Sequence, residues 1–553
     1  MDKSRACNYL SEYDSILLFY MYFVWCPGPD LNRHGRNGRG ILSPLCLPIS
    51  PPGQKAKCSG RAGYHAEQQS KAPKHPSQQL DSRHTRQILF LYHREQRQYS
   101  RGRRLASPRG EFRSRLGFIL AAAGSAVGLG NIWGFPTQAA SNGGAAFLIT
   151  YLLLAFVLAY PALMAELLIG RHTHRNMVMA LGSLPKRSAL ASLGRLTGIG
   201  GLITASMILS FYAIVAGWML GFAASYPLSA AGMTATGHWL VAFGSTRNLT
   251  LMLGFMALTM AVVLGGVEDG IERWSRRLMP LLIATLIALA LYVLTLEGAL
   301  KGLAIYLLPD FEKVLSGDLL IDALGSAFFS LSLGVGTMLI YGSYLSDNEN
   351  VPSVGAQVAL VDVGIAVLAG FLILPAMYVA DARGVAIFND AGGLISEDTL
   401  IFTVLPALFE TMEGAGIWLA TAFFALMSIA AVTSSISMLE VPVAYLIERH
   451  QLSRRRATML AGGVIAGFSA LIVLNFGTLF GWVITVSTRY SQPALGILIC
   501  IFAGWLWQRD SLLQELKKND ADAEQRLFWK IWPLYVKWLC PVIIGVILAQ
   551  SAL

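Results

Sequence analysis

From Leu116 onward the chain alternates between long, almost uncharged stretches and short stretches that carry most of its polar residues. Eleven apolar stretches stand out, at about 116–139, 145–169, 198–225, 248–267, 278–296, 321–345, 354–379, 415–447, 457–475, 478–507 and 531–549. Each is near the ~20 residues that a helix needs to cross a hydrocarbon core. Their apolar residues run on continuously, without the two-residue alternation of a barrel strand. Lipid offers no partner to a backbone N–H or C=O, so such runs are predicted to be helices that satisfy their own backbone. The pattern predicts an all-α polytopic membrane protein.

Residues 1–108 follow another pattern. They are rich in Arg, Pro, Gly, Ser and Gln and show no sustained periodicity, which reads as disorder. The apolar run at 16–26 is too short for a span, and Asp2, Glu12 and Asp14 before it do not suit a signal peptide. This tail is read as an over-extended gene model in preference to a regulatory tail or a basic arm on anionic lipid.

Composition agrees with the pattern. Hydrophobic residues make up 54% of the chain and charged residues 14%, against about a quarter charged in a soluble domain. The formal net charge of +10 does not indicate a nucleic-acid partner. Residues 1–115 hold 20 Lys and Arg against 8 Asp and Glu, whereas residues 116–553 hold 23 against 25. The basic excess is therefore confined to the tail. Cys7, Cys26, Cys46 and Cys58 match no zinc spacing, while Cys500 and Cys540 lie in apolar spans as small hydrophobes. No phosphate loop, HExxH or poised His or Cys nucleophile is present, so an enzyme is not expected.

Loop charge sets the expected orientation. Alternate loops, starting after the second span, carry 17 Lys and Arg, and the opposite loops carry 4: Arg247, Lys301, Lys313 and Arg383. The excess places the N-terminus in the cytoplasm, and eleven spans then leave the C-terminus outside.

Two spans are dense in helix-breaking glycine. The first reads Gly124-Ser-Ala-Val-Gly128-Leu-Gly130-Asn131 and the sixth Ser330-Leu-Ser332-Leu-Gly334-Val-Gly336. Glycine alone would mean close helix packing. Polar residues at both places, five spans apart, point instead to unwound backbone in two copies of one five-span unit. An odd span number turns the second copy upside down, and transporters built this way bind their cargo at the breaks. The expected organisation is a first repeat at 109–296, a second at 297–507, and a loop with span 11 at 508–553.

Three segments carry a resemblance. RLGFILAAAGSAVGLGNIWGFP (115–136) followed by NGGAAF (142–147), AFFSLSLGVGTMLIYGSY (327–344) and AAVTSSISMLE (430–440) are similar to helices 1, 6 and 8 of the neurotransmitter:sodium symporter family. The resemblance runs through 109–549 in order, and eleven spans is similar to its bacterial branch. It implies a sodium-coupled symporter of neutral, apolar or aromatic amino acids working by alternating access. It also implies two sodium sites, one of Ala126, Asn131, Ser330, Asp362 and the substrate carboxylate, the other of Gly124, Val127, Ala430, Thr433 and Ser434. Oxygen donors of this kind suit a hard cation. The substrate would meet Ala126, Leu129, Gly130, Ile208, Tyr212, Phe329, Ser330, Ser332, Val335, Ser434 and Met438, with Ser125 close to its side chain.

Taken singly, Tyr212 reads as a core tyrosine and Thr433-Ser434-Ser435 as hydroxyls bonded to their own helix. Asp362 reads differently: a carboxylate in mid-span is costly and marks function. It supplies the negative charge that chloride-dependent relatives lack, so chloride independence is expected. Glu166 and Glu440 read as structural hydrogen-bonding or proton-linked groups.

Arg109, Tyr344 and Glu448 match the family's inner gate, with Phe112 where tryptophan is usual. The outer gate departs from the pattern: Gly134 and either Ile484 or Gly481 occupy the positions of its usual ion pair, so closure is expected from aromatic packing by Tyr212 and Phe329. Arg489 is a candidate for an anion-facing role. A non-transporting amino-acid sensor and an osmolyte symporter remain alternatives.

Overall fold

A computed structural model describes residues 110–309, 317–387 and 400–550, without the side chains of 318, 400, 413 and 547. The tail and the expected gate residue Arg109 lie outside the described residues, as do 310–316, 388–399 and 551–553. Among the described residues every regular element is a helix.

Eight continuous helices are long and apolar enough to cross a membrane: Ala145–Thr173, Ser188–Ala230, Ser245–Leu264, Val267–Val293, Val351–Ala382, Gly414–His450, Arg454–Leu474 and Leu527–Gln550. They are spans 2, 3, 4, 5, 7, 8, 9 and 11. Span 10 is Phe476–Leu506, which turns through 93° into the short helix Arg509–Lys517. Span 1 is the pair Arg115–Ala126 and Gly130–Ser141, bent by 59°. Span 6 is Gly317–Ser330 and Thr337–Ser343, each too short to cross alone. Each of the eleven predicted apolar stretches falls on helix among the described residues, eight of them on helices that cross by length alone, and the two glycine-dense stretches are interrupted.

The boundaries differ where helices outrun their apolar portion. Span 3 begins at Ser188 rather than near 198, and span 5 at Val267 rather than near 278. Span 3, with 43 residues, is about 65 Å long at 1.5 Å per residue, twice a ~30 Å hydrocarbon core. Hydropathy marks only the part that suits lipid. Short helices in the connections, Met177–Ser183, Thr234–Val241, Ala299–Leu307 and Leu405–Glu410, carry no such signal.

Spans 3 and 8 pack more extensively than any other pair and flank the break in span 1. At the end of the bundle bearing the basic loops, Arg171 of span 2 is 1% exposed and clamps the helix Arg509–Lys517. Its Nε donates to Glu515 Oε1 at 2.6 Å, and its two terminal nitrogens donate to the Glu515 carbonyl and Asn519 Oδ1, both at 2.7 Å. His172 Nδ1 lies 3.1 Å and Lys518 Nζ 3.0 Å from the other Glu515 oxygen. Burial works against ionising Glu515, but the His172 hydrogen bond and the Arg171 and Lys518 charges prevail and hold it at about 2.

Candidate functional site

Unwinding a helix inside a bundle frees backbone groups that must find partners among side chains. At the break in span 1, Val127 is extended, and four spans supply those partners. Asn131 Oδ1 accepts from the Gly128 N–H at 3.2 Å, and the Tyr212 hydroxyl of span 3 accepts from the Leu129 N–H at 3.3 Å. Ser434 of span 8 donates to the Val127 carbonyl at 2.9 Å, and Ser332 of span 6 to the Ser125 carbonyl at 3.3 Å. Gly128 is required here, because a Cβ would stand 2.8 Å from Ser434 Oγ and 2.9 Å from the Tyr212 hydroxyl.

Residues 331–336 form the break in span 6. Ser332, Gly334 and Gly336 all have positive φ, at 52°, 83° and 79°. Glycine adopts such angles freely, whereas serine is held there at a cost of order 1 kcal/mol or more. Two buried polar residues serve this break. The Glu166 carboxylate of span 2 accepts from the Gly334 N–H at 2.7 Å and the Leu339 N–H at 3.3 Å. From span 10, Gln492 donates its Nε2 to the Leu333 carbonyl at 2.9 Å. The structural reading of Glu166 therefore has a specific geometric content.

Of the first expected cation set, Asn131, Ser330 and Asp362 form one buried cluster. Ser330 donates to Asp362 Oδ2 at 2.7 Å, and Asn131 Nδ2 donates to Asp362 Oδ1 and Ser330 Oγ, both at 2.8 Å. Tyr151, absent from the expected set, donates to Ser330 Oγ at 3.1 Å. Asp362 is fully buried and Asn131 1% exposed. The oxygen-rich donor set fits a hard monovalent cation. In this structure Asn131 turns its Nδ2, not its oxygen, toward Asp362, because its Oδ1 accepts from the Gly128 N–H.

Of the second expected set, Ser434 reaches across to span 1. Ser434 Oγ lies 2.9 Å from the Val127 carbonyl and 3.4 Å from that of Gly124, while Thr433 donates to the Ala430 carbonyl at 3.0 Å. Ser434 thus links spans 1 and 8, whereas the Thr433 hydroxyl bonds back to its own helix.

Between the two breaks lies a cavity. All eleven residues expected around the substrate line it, joined by Gly128, Asn131 and Gln492. None of these fourteen residues carries a charge. Ser125 is outside the lining, its hydroxyl donating to Ser437 Oγ at 2.6 Å. Phe329 stands over the Gly130 backbone, where a Cβ would meet the ring at 3.1 Å.

At the basic-loop end, the Tyr344 hydroxyl donates to Glu440 at 2.6 Å, and Arg454 donates to the other Glu440 oxygen at 2.6 Å. Glu448 accepts from the Asn176 backbone N–H at 2.8 Å and also from its side-chain amide. Phe112 packs edge-on against Phe118 at 5.3 Å and Tyr341 at 5.6 Å, so an aromatic does fill this position.

At the opposite end, a Cβ on Gly134 would meet nothing within 4 Å. Arg489 is exposed in the wide turn Thr485–Ser491. Among the described residues neither Tyr212 nor Phe329 makes a ring contact, so the aromatic packing at this end is built by other residues. Phe402, from the short segment before span 8, sits edge-on to Trp133 at 5.9 Å and to Trp218 at 5.5 Å. Trp218 lies 6.1 Å from Phe480 of span 10, and Phe222 lies 5.4 Å from Phe402. Phe402 escaped sequence reasoning because nothing local marks it. Gln492 left a signal, a polar residue in an apolar span, that went unused.

The model of the sodium:neurotransmitter symporter family matches residues 109–240 and 238–553. An uncharacterized sodium-dependent transporter, YhdH of Bacillus subtilis, is 34% identical over 453 residues, covering 79% of this chain and 96% of that protein. An uncharacterized sodium-dependent transporter of Haemophilus influenzae is 31% identical, covering 79% and 97%. Among solved structures, MhsT in complex with L-phenylalanine superposes with a TM-score of 0.68 at 34% identity, covering 80% of this chain and 99% of that one.

Proposed function

The chain belongs to the sodium:neurotransmitter symporter family, and from that premise we propose that it carries neutral amino acids across the bacterial inner membrane together with sodium. The supporting observation is the cavity between the breaks, whose uncharged wall adjoins the buried Asp362–Asn131–Ser330 cluster. A zwitterion brings two charges, and unwound backbone can meet both. The N–H groups of Leu129 and Gly130 with the Tyr212 hydroxyl face a carboxylate; the carbonyls of Ala126, Phe329 and Ser330 face an ammonium. An uncharged wall leaves a charged side chain without a counter-ion, which excludes acidic and basic amino acids on desolvation grounds. The phenylalanine held by the related solved structure is of the expected class.

Sodium is cargo here. Ala126, Asn131, Ser330 and Asp362, completed by the substrate carboxylate, would hold one ion. Gly124, Val127, Ala430, Thr433 and Ser434 would hold another. The basic loops lie in the cytoplasm, so Tyr344, Glu440 and Glu448 close the inner side. The aromatic group around Phe402 closes the outer side in place of an ion pair.

Counterflow of labelled amino acids in proteoliposomes tests the proposal. Sodium-dependent exchange of a neutral amino acid is expected. Saturable binding without exchange would overturn transport in favour of a sensor.

A further inference from the structure

One polar group of the cavity wall is not used by this reading. Gln492 opens the helix Gln492–Ile501 of span 10, is 2% exposed and lines the cavity. Its Nε2 is engaged at the Leu333 carbonyl. Its Oε1 is buried and accepts no hydrogen bond from any described residue. Leaving a buried amide oxygen without a donor is costly, so native structures rarely keep one without reason. The polar groups nearby are occupied: Glu166 holds the Gly334 and Leu339 N–H groups, and Ser332 donates to Ser125.

We propose that Gln492 is a specificity-determining residue, its Oε1 accepting a hydrogen bond from the side chain of the bound amino acid. The site then favours neutral side chains bearing an N–H or O–H over hydrocarbon of the same shape. The proposal rests on reading the cavity as the amino-acid site. The two ends of the amide have separate tasks. Nε2 is tied to the unwound backbone of span 6, which fixes where the oxygen stands; the oxygen reads the ligand. The Gln492 carbonyl also lies where a Cβ on Gly334 would be, at 2.3 Å, so this part of span 10 sits tightly against the break. An ammonium side chain gains little, since one amide oxygen cannot replace a counter-charge. A site built around a buried acceptor discriminates against ligands that leave it unpaired.

The test uses pairs that differ in the donor alone: tryptophan with 3-benzothienylalanine, and threonine with valine. Affinities are read by competition against counterflow in proteoliposomes of the full chain. In the parent, the donor-bearing member of at least one pair is expected to bind about five- to tenfold tighter, the range of one net hydrogen bond. Gln492→Met, similar in length but without the acceptor, should bring that ratio to within about twofold. Gln492→Asn withdraws the amide by one methylene and carries the same expectation as the Met variant, should that one fail to fold. Equal binding within both pairs in the parent overturns the proposal and leaves the transport reading intact. A ratio unchanged in the Met and Asn variants also overturns it. Failure of all four amino acids to compete refutes the neutral-amino-acid reading itself.

Discussion

At the scale of single residues, Asp362 carries the chemistry of the site. Its two oxygens are taken by Ser330 and Asn131, and it is fully buried in span 7. In the proposed first cation set, this fixed carboxylate would make an external anion unnecessary. Uptake into vesicles should be unchanged when gluconate replaces chloride; a large loss would refute the idea. Asp362→Asn removes one formal charge facing a cation at close range, so sodium affinity should fall on the order of tenfold or more. Chloride should then restore part of the lost uptake. Asp362 was legible in the sequence because an acid in a lipid-facing stretch is anomalous on its face. Tyr151 was not. Its bond to Ser330 spans 179 positions, and a tyrosine in an apolar helix announces nothing about its hydroxyl. The same holds for Asn176, whose partner Glu448 is 272 positions away.

At the scale of elements, the two breaks could be read from the sequence because glycine and polar residues inside an apolar span conflict with a continuous helix. What serves the breaks could not, since Glu166 and Gln492 act from spans 2 and 10 across the bundle. The outer closure shows the same limit. Loss of the ion-pair positions at Gly134 and Ile484 was visible, but the replacement depends on Phe402 meeting Trp133 and Trp218 in three dimensions. A Gly134→Arg side chain has room, as nothing lies within 4 Å of its Cβ. Any harm it does would come from its unpaired charge beside the proposed aromatic outer closure. Uptake by this variant should therefore fall, and Ile484→Asp should recover part of it, with a non-additive double-mutant cycle. Parent-like uptake by Gly134→Arg alone would retract the claim. Closure by apolar rings should also depend little on ionic strength, since no exposed pair is there to be screened.

At the scale of the whole molecule, the order of the apolar helices followed from hydropathy, whereas their fastening at the basic-loop end did not. Arg171 and Glu515 are 344 positions apart, and each looks like an ordinary loop charge. Glu515 falls from an ordinary 4.5 to about 2 in the folded chain. A depressed carboxylate stabilises fully above the unfolded value, and its contribution fades as pH falls toward the folded one. The clamp on Arg509–Lys517, built from Arg171, His172 and Lys518, should hence loosen between about pH 4.5 and 2. Hydrogen exchange of residues 509–519, corrected for intrinsic rates, should rise there before exchange in spans 3 and 8 does. Uniform protection down to pH 2 would refute this.

Ala126, Ser330 and Ser434 each stand both in an expected cation set and in the cavity wall. Whatever fixes these groups for the ion also fixes them for the amino acid. Linkage makes the relation reciprocal: the factor by which sodium tightens the amino acid equals the factor by which the amino acid tightens sodium. One titration of amino-acid affinity against sodium concentration therefore reports both enhancements. A chain that filled this cavity equally well without sodium would hold its sodium no more tightly for having filled it.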